Sequence, residues 1–286
     1  MPAMRHGSDV ARTTGTADVN TVPAGCGWKW VLTGIALFRK NPAMWTFLVF
    51  SYIVLIQLVG MIPVLGLFFA LVLIPVFSAS FMIFSRELDQ GRRAGFELLF
   101  SGFRSNLPAL LRQGVLYLAS VLIILGLSAL ADSGVLFTMI VLGEGPPVAT
   151  FEDASFAGAV ALFGMLYMPV LAAFWFAPAL SAWRNLPALQ ALFYSIFAAL
   201  RNWRAFLAYG IALFLFGFIL SLVLVVLALL LQGLFGDKAQ NAFVLVKLLA
   251  LLTYVPVMLA SFYASYRDIF PQPDAAPAAE AAADAP

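Results

Sequence analysis

Residues 41–85 read NPAMWTFLVFSYIVLIQLVGMIPVLGLFFALVLIPVFSASFMIFS, 45 consecutive positions without Asp, Glu, Lys or Arg. As one helix this run would measure about 68 Å at about 1.5 Å per residue, against a hydrocarbon core of about 30 Å. It must therefore fold back on itself, and Gly60, Pro63 and Gly66 mark the turn. Four further uncharged runs, 113–131, 154–183, 205–236 and 248–266, supply one crossing each, because a charge at the bilayer centre costs at least about 2.5 kcal/mol. The fold class is an all-α polytopic membrane protein. Its six transmembrane helices are expected near residues 43–60, 64–84, 112–131, 156–183, 206–231 and 242–266. Composition agrees: 63% of the residues are hydrophobic and 10% charged, with a mean hydropathy of +0.98, whereas a soluble domain is roughly a quarter charged.

The polar stretches between these runs have a pattern of their own. Residues 94–108 read AGFELLFSGFRSNLP. Counting back from Arg104, Phe103, Phe100 and Phe96 fall at minus one, four and eight, which is one face of a helix. The same count gives Phe38, Ile35 and Val31 from Arg39, and Leu200, Phe197 and Phe193 from Arg201. Position minus three is small each time (Ala36, Ser101, Ala198), and Asn41, Asn106 or Asn202 follows each arginine within two residues. Asn41-Pro42 should end the first such helix, since the residue before a proline is pushed out of the helical region. Trp28, Trp30 and Trp45 suit the headgroup layer, where amphipathic rings concentrate.

A second motif recurs in every other span. Ile74-Pro75-Val76, Met168-Pro169-Val170 and Val255-Pro256-Val257 are followed by Ala79, Ala173 and Ala260, and then by Phe81, Trp175 and Phe262. Together the two motifs predict three parallel repeats, near 28–86, 94–184 and 188–267, each an amphipathic helix followed by a two-helix hairpin. A unit with two spans enters and leaves on the same side. Such repeats are related by an axis along the membrane normal, unlike the inverted repeats of many secondary transporters.

Fourteen of the 16 basic residues fall on one side of this arrangement, leaving Lys238 and Lys247 on the other. The positive-inside bias makes the rich side cytoplasmic, with both termini inside. The one substantial external loop is then 132–155, which holds Asp132, Glu144, Glu152 and Asp153 and no Lys or Arg. Within it 135–142 is apolar but too short to span, so it should lie at the outer surface or pack on the bundle. Residues 1–21 and the Ala, Pro and acid tail 271–286 read as disordered, flanking a membrane domain at 22–270.

The chemistry is sparse. A single cysteine, Cys26, excludes an intramolecular disulfide, and the one histidine, His6, lies in the polar tail. No uncharged run contains His, Asp, Glu or Cys, so no catalytic, metal or cofactor site is expected and an enzyme is not. Nor is a nucleic-acid partner, at a net charge of +2. Gln57 and Tyr254 are the candidates for a polar interior, as a transporter places polar groups near the midplane. Arg39, Arg104 and Arg201 are the candidates for lipid-headgroup contact. Each stands one residue past an apolar stripe, where its stem can lie along oil while the guanidinium reaches a phosphate.

The run from Val22-Pro23-Ala24-Gly25 through Trp28-Lys29-Trp30 and Leu37-Phe38-Arg39-Lys40-Asn41-Pro42 resembles the opening of a family of proteobacterial multi-pass membrane proteins known only as domains of unknown function. More loosely, the chain resembles the multi-helix membrane portion attached to some bacterial glycerophosphodiester phosphodiesterases, without their catalytic domain. The resemblance implies an inner-membrane location and carries over no site residue. The expected function is a non-enzymatic membrane protein that organises or senses the inner leaflet, anionic phospholipid included, or serves as a membrane subunit for a partner. The alternative is a small-molecule or lipid transporter or channel.

Overall fold

The structure, a computed structural model, describes residues 18–62, 65–143, 150, 153–236 and 240–271. The readings made for 1–17 and 272–286, and for Pro63, Glu144, Glu152 and Lys238, lie outside the described residues. Every regular element among the described residues is a helix. They run α1 (Cys26–Lys40), α2 (Pro42–Gly60), α3 (Leu65–Asp89), a 3₁₀ helix (Phe96–Arg104), α4 (Leu107–Asp132), α5 (Val135–Val141), α6 (Ala154–Arg184), α7 (Ala188–Arg201), α8 (Trp203–Phe235) and α9 (Gln240–Ile269). Six of them, α2, α3, α4, α6, α8 and α9, are long and apolar enough to cross a membrane. Each coincides with one expected span.

The asparagines that follow the arginines explain where two of the spans begin. Asn41 Oδ1 accepts from Met44 N at 3.1 Å, and Asn106 Oδ1 accepts from Ala109 N at 3.4 Å. Each caps a helix whose first turn contains a proline, Pro42 or Pro108, satisfying an otherwise orphaned N–H where a proline needs none. The cap starts α4 at Leu107, five residues before the expected 112, so Arg112 sits inside its second turn. At the far end Asp132 turns the chain into α5: its carboxylate accepts from Gly134 N at 3.0 Å and Leu136 N at 2.7 Å. Short α5 packs on the bundle through Leu136, against Tyr117, Val121 and Phe156. Asp153 caps α6 by accepting from Ser155 N, and this bond holds its exposed carboxyl below the usual carboxylate range.

The three polar stretches form helices seated on the bundle, but two details differ from expectation. Residues 96–104 are a 3₁₀ helix, so the covered positions recur every three residues and are Leu99 and Gly102, not the phenylalanines. In α7 the covered face is likewise small (Ala188, Ala191, Ser195, Ala198), while Phe193 and Leu200 are 64% and 66% exposed. Small residues let the backbones approach, and the large apolar ones are left to the lipid. Trp30 and Trp45, expected among headgroups, are instead enclosed by protein. Trp30 Nε1 donates to Asp268 Oδ2 at 2.8 Å, and the Trp45 ring lies 4.7 Å from that of Phe84.

Each of these seated helices packs on a proline-bearing span: the 3₁₀ helix on α3, α7 on α6, and α1 on α9 and α8. The first helix in the chain thus closes the bundle against the last hairpin. Gly102 presses on Val76 and Ser80 of α3, and Gly34 on Val257 and Ser261 of α9. At the third contact the Ser195 hydroxyl donates to Ala172 O at 2.7 Å and accepts from Phe176 N at 2.9 Å, entering the hydrogen-bond ladder of α6. All three contacts therefore take a pair of positions four apart on the span. Ser195→Ala should cost about 0.5–1.5 kcal/mol, the net weight of an intramolecular hydrogen bond, because Phe176 N and Ala172 O remain i and i−4 partners within α6. Unfolding by titration with denaturing detergent measures this, and an unchanged midpoint would show the hydroxyl to be idle.

Candidate functional site

Among the described residues, the face where α3, α6 and α9 end carries most of the charge, and its cations fall into two groups. The first is consumed internally. Asp89 gathers Arg267 Nη1 at 2.8 Å, the Tyr263 hydroxyl at 3.1 Å and Lys40 Nζ at 3.8 Å, while Lys40 also donates to Leu88 O. Glu87 holds Arg92 with both oxygens, at 2.5 and 2.6 Å. Arg184 Nη2 donates to Pro271 O, and the Arg86 guanidinium lies 5.5 Å above the Trp183 ring.

The second group contains the three arginines singled out from the sequence. Arg39, Arg104 and Arg201 are exposed at the last turns of α1, the 3₁₀ helix and α7. None of them is in an ion pair among the described residues. They stand on separate helices, and no hydrogen bond or ring contact among the described residues joins any two of them. Arg201 is the most built. Its guanidinium carbon lies 6.0 Å over the lipid-facing ring of Phe197, and its Nε donates to Thr21 Oγ1 at 2.6 Å.

Arg201 also borders a recess of about 380 Å³ shared with Thr21, Asn202, Trp203 and Arg204. Asn202 does not cap α8. It is buried, and it ties down the segment that leads into α1: Oδ1 accepts from Val22 N at 2.8 Å, and Nδ2 donates to Asn20 O at 2.9 Å and Ala198 O at 3.0 Å. Residues 18–21, read with the tail, thus run along the bundle, where Asn20 N also donates to Ile269 O. Arg204, stacked at 5.4 Å on Trp203, is the second cation of the recess. It escaped the sequence reading because it lies outside the recurring Arg-Asn spacing; the doublet Arg201 and Arg204, three apart, was the available signal. Two guanidinium groups without an acidic partner, beside the Thr21 hydroxyl, can hold an anionic oxygen group such as a phosphate at this recess.

Gln57 and Tyr254 are not brought together. Gln57 is exposed in an open groove beside Gly60, Ile62 and Leu142, near the turn between α2 and α3. Tyr254 lines a different groove, between α8 and α9, with its ring stacked 5.9 Å from Phe216. Ring contacts pack the spans elsewhere in the bundle: Trp175 on Phe262 at 4.2 Å, Trp183 on Tyr266 at 4.8 Å and Tyr52 on Phe77 at 5.0 Å. Among the described residues no three His, Cys, Asp or Glu side chains converge as metal ligands.

In sequence the chain is similar to a probable inner membrane protein of Burkholderia thailandensis, with 37% identity over 257 residues, covering 87% of this chain and 92% of that protein. No family model matches the chain, and no solved structure matches it.

Proposed function

The chain belongs to the family of this Burkholderia inner membrane protein, and from that premise we propose that it works on the bilayer itself, as a non-enzymatic organiser of the cytoplasmic leaflet. It is a multi-pass inner-membrane protein of six spans in contact with lipid. In the proposed orientation the arginine-bearing face is cytoplasmic, and the three units are copies of one parallel repeat. The observation that carries the proposal is the arginine without an acidic partner at the end of each seated helix, beside exposed apolar side chains: Leu32 on α1, Phe96 and Phe100 on the 3₁₀ helix, and Phe193, Phe197 and Leu200 on α7. That is how a helix in the interface holds anionic headgroups. An apolar groove of about 450 Å³ between α4 and α7, rimmed by Arg112 and Leu189, supports it as a place for acyl chains beside a cation. The separation of Gln57 and Tyr254 into two different grooves supports an organising role over transport.

The test is to change Arg39, Arg104 and Arg201 together to Lys, which keeps charge and topology but removes the planar fork that grips a phosphate in two places. Native mass spectrometry of the protein released from lipid patches should show a severalfold fall in retained anionic phospholipid. Equal retention would leave these arginines only their effect on topology.

A further inference from the structure

On the opposite side of the membrane, α8 and α9 diverge to leave a groove of about 520 Å³. Its lining is apolar apart from Ser221, Lys247 and Tyr254. Among the described residues, Lys247 is the one Lys or Arg away from the arginine-bearing face. It lies 20 residues before Arg267 on α9, which at about 1.5 Å per residue is about 30 Å, the thickness of the hydrocarbon core. Its ammonium therefore reaches the far headgroup boundary, while the groove runs from there toward the middle of the bilayer, as far as Leu213.

Two features mark this groove as a seat for a lipid rather than a seam between helices. The Lys247 ammonium, the Ser221 hydroxyl and the Tyr254 hydroxyl have no hydrogen-bond or ion-pair partner among the described residues. The two hydroxyls are costly in an apolar medium unless something satisfies them, and an ammonium at the headgroup boundary attracts an anionic group. Moreover, Gly217 lines the groove without a side chain, and the Tyr254 ring lies so close to it that an added Cβ would stand 2.9 Å from Tyr254 Cε2. We propose that the α8–α9 groove binds one anionic phospholipid of the leaflet opposite the arginine-bearing face. The phosphate pairs with Lys247, and an acyl chain lies along Gly217 and Tyr254. The charge selects the occupant, since a lone cation at a headgroup boundary is complementary to a phosphate that carries no compensating amine. This site is independent of the three arginines and of the function proposed above.

The test uses the full chain in nanodiscs of equal parts phosphatidylglycerol and phosphatidylethanolamine, with photoreactive benzoylphenylalanine placed at Leu251 in the groove. A second protein carries the same probe at Leu130, a lipid-facing position on α4 that is 83% exposed. Cross-links from position 251 should favour phosphatidylglycerol, and those from 130 should not. Lys247→Gln should lower the preference at 251 about fivefold, the weight of one basic residue near an anionic surface. Gly217→Phe should remove the preference by filling the groove. Equal preference at the two positions, an unchanged ratio in Lys247→Gln, or loss of the preference on adding inorganic phosphate would overturn the proposal; the last would point to a free anion instead.

Discussion

Gly102→Ala and Gly34→Ala are expected to be among the most destabilising single-atom changes available in this chain. A Cβ at 102 would lie 2.0 Å from Val76 O and 2.8 Å from Ser80 Oγ; one at 34 would lie 2.5 Å from Val257 O and 3.0 Å from Ser261 Cβ. The obstacle in each case is the backbone of a span, which no rotamer change can move aside. For the 3₁₀ helix to retreat, it would have to lengthen the 2.9 Å bond from Gly102 N to Ser80 Oγ and uncover Leu99. Overpacking costs about 1–3 kcal/mol even where side chains can yield, so we expect about 3 kcal/mol at each site. Both changes together should leave little folded protein, given total stabilities of about 5–15 kcal/mol. Gly126→Ala on α4 is the control. Nothing lies within 4 Å of a Cβ there, and alanine's helix preference should make the change neutral or stabilising by up to about 1 kcal/mol. Detergent-titration midpoints and the amount of protein in the membrane measure all three. Wild-type midpoints for Gly102→Ala and Gly34→Ala would mean that the seated helices are not held at these contacts.

Orientation should give an all-or-none result. A reporter enzyme active only outside the inner membrane should be fully active when fused after Glu144 and inactive when fused after Arg93. The two fusion points lie on opposite sides of α4, one next to Arg92 and Arg93 and the other in a segment without Lys or Arg. Moving that much basic charge across the membrane opposes the insertion bias that sets topology. The structure adds that basic residues from distant parts of the chain meet on this face: Lys40 of α1 and Arg267 of α9 both pair with Asp89 of α3. The reverse activity pattern would invert the orientation and place the arginine face outside.

What was legible in the sequence follows from the solvent. A bilayer tolerates few charges and leaves no backbone polar group unpaired, so charge-free runs of the right length locate spans and Asn-Pro steps locate breaks. The break at Asn41-Pro42 was signalled by those residues, whereas the start of α4 at Leu107, capped by Asn106, came five residues before the expected 112, because the charge-free run begins only after Arg112. The candidate site was half legible. Arg39, Arg104 and Arg201 are exposed at helix ends as their spacing implied, but the recess at Arg201 depends on Thr21 and Arg204, from segments that only folding brings together.

The sequence by itself determined the number of spans, their limits to within a few residues, the existence of three short helices between them and the side on which the basic residues gather. The tertiary structure decided which face of each helix meets protein and which meets lipid. In water, polarity separates those faces; in a bilayer both are apolar, and hydrophobicity no longer tells them apart. Phe193 and Phe197 on one side of α7 and Trp30 and Trp45 in the core are equally oily. Only close packing distinguishes them, through Gly34, Gly102 and Ser195, whose small size matters because a particular carbonyl of another helix lies against each. The closure of α1 onto α9 was hidden for the same reason: it joins residues more than 200 positions apart through the 2.8 Å bond from Trp30 to Asp268 and the contact of Gly34 with Val257, and neither partner carries a local sign of the other.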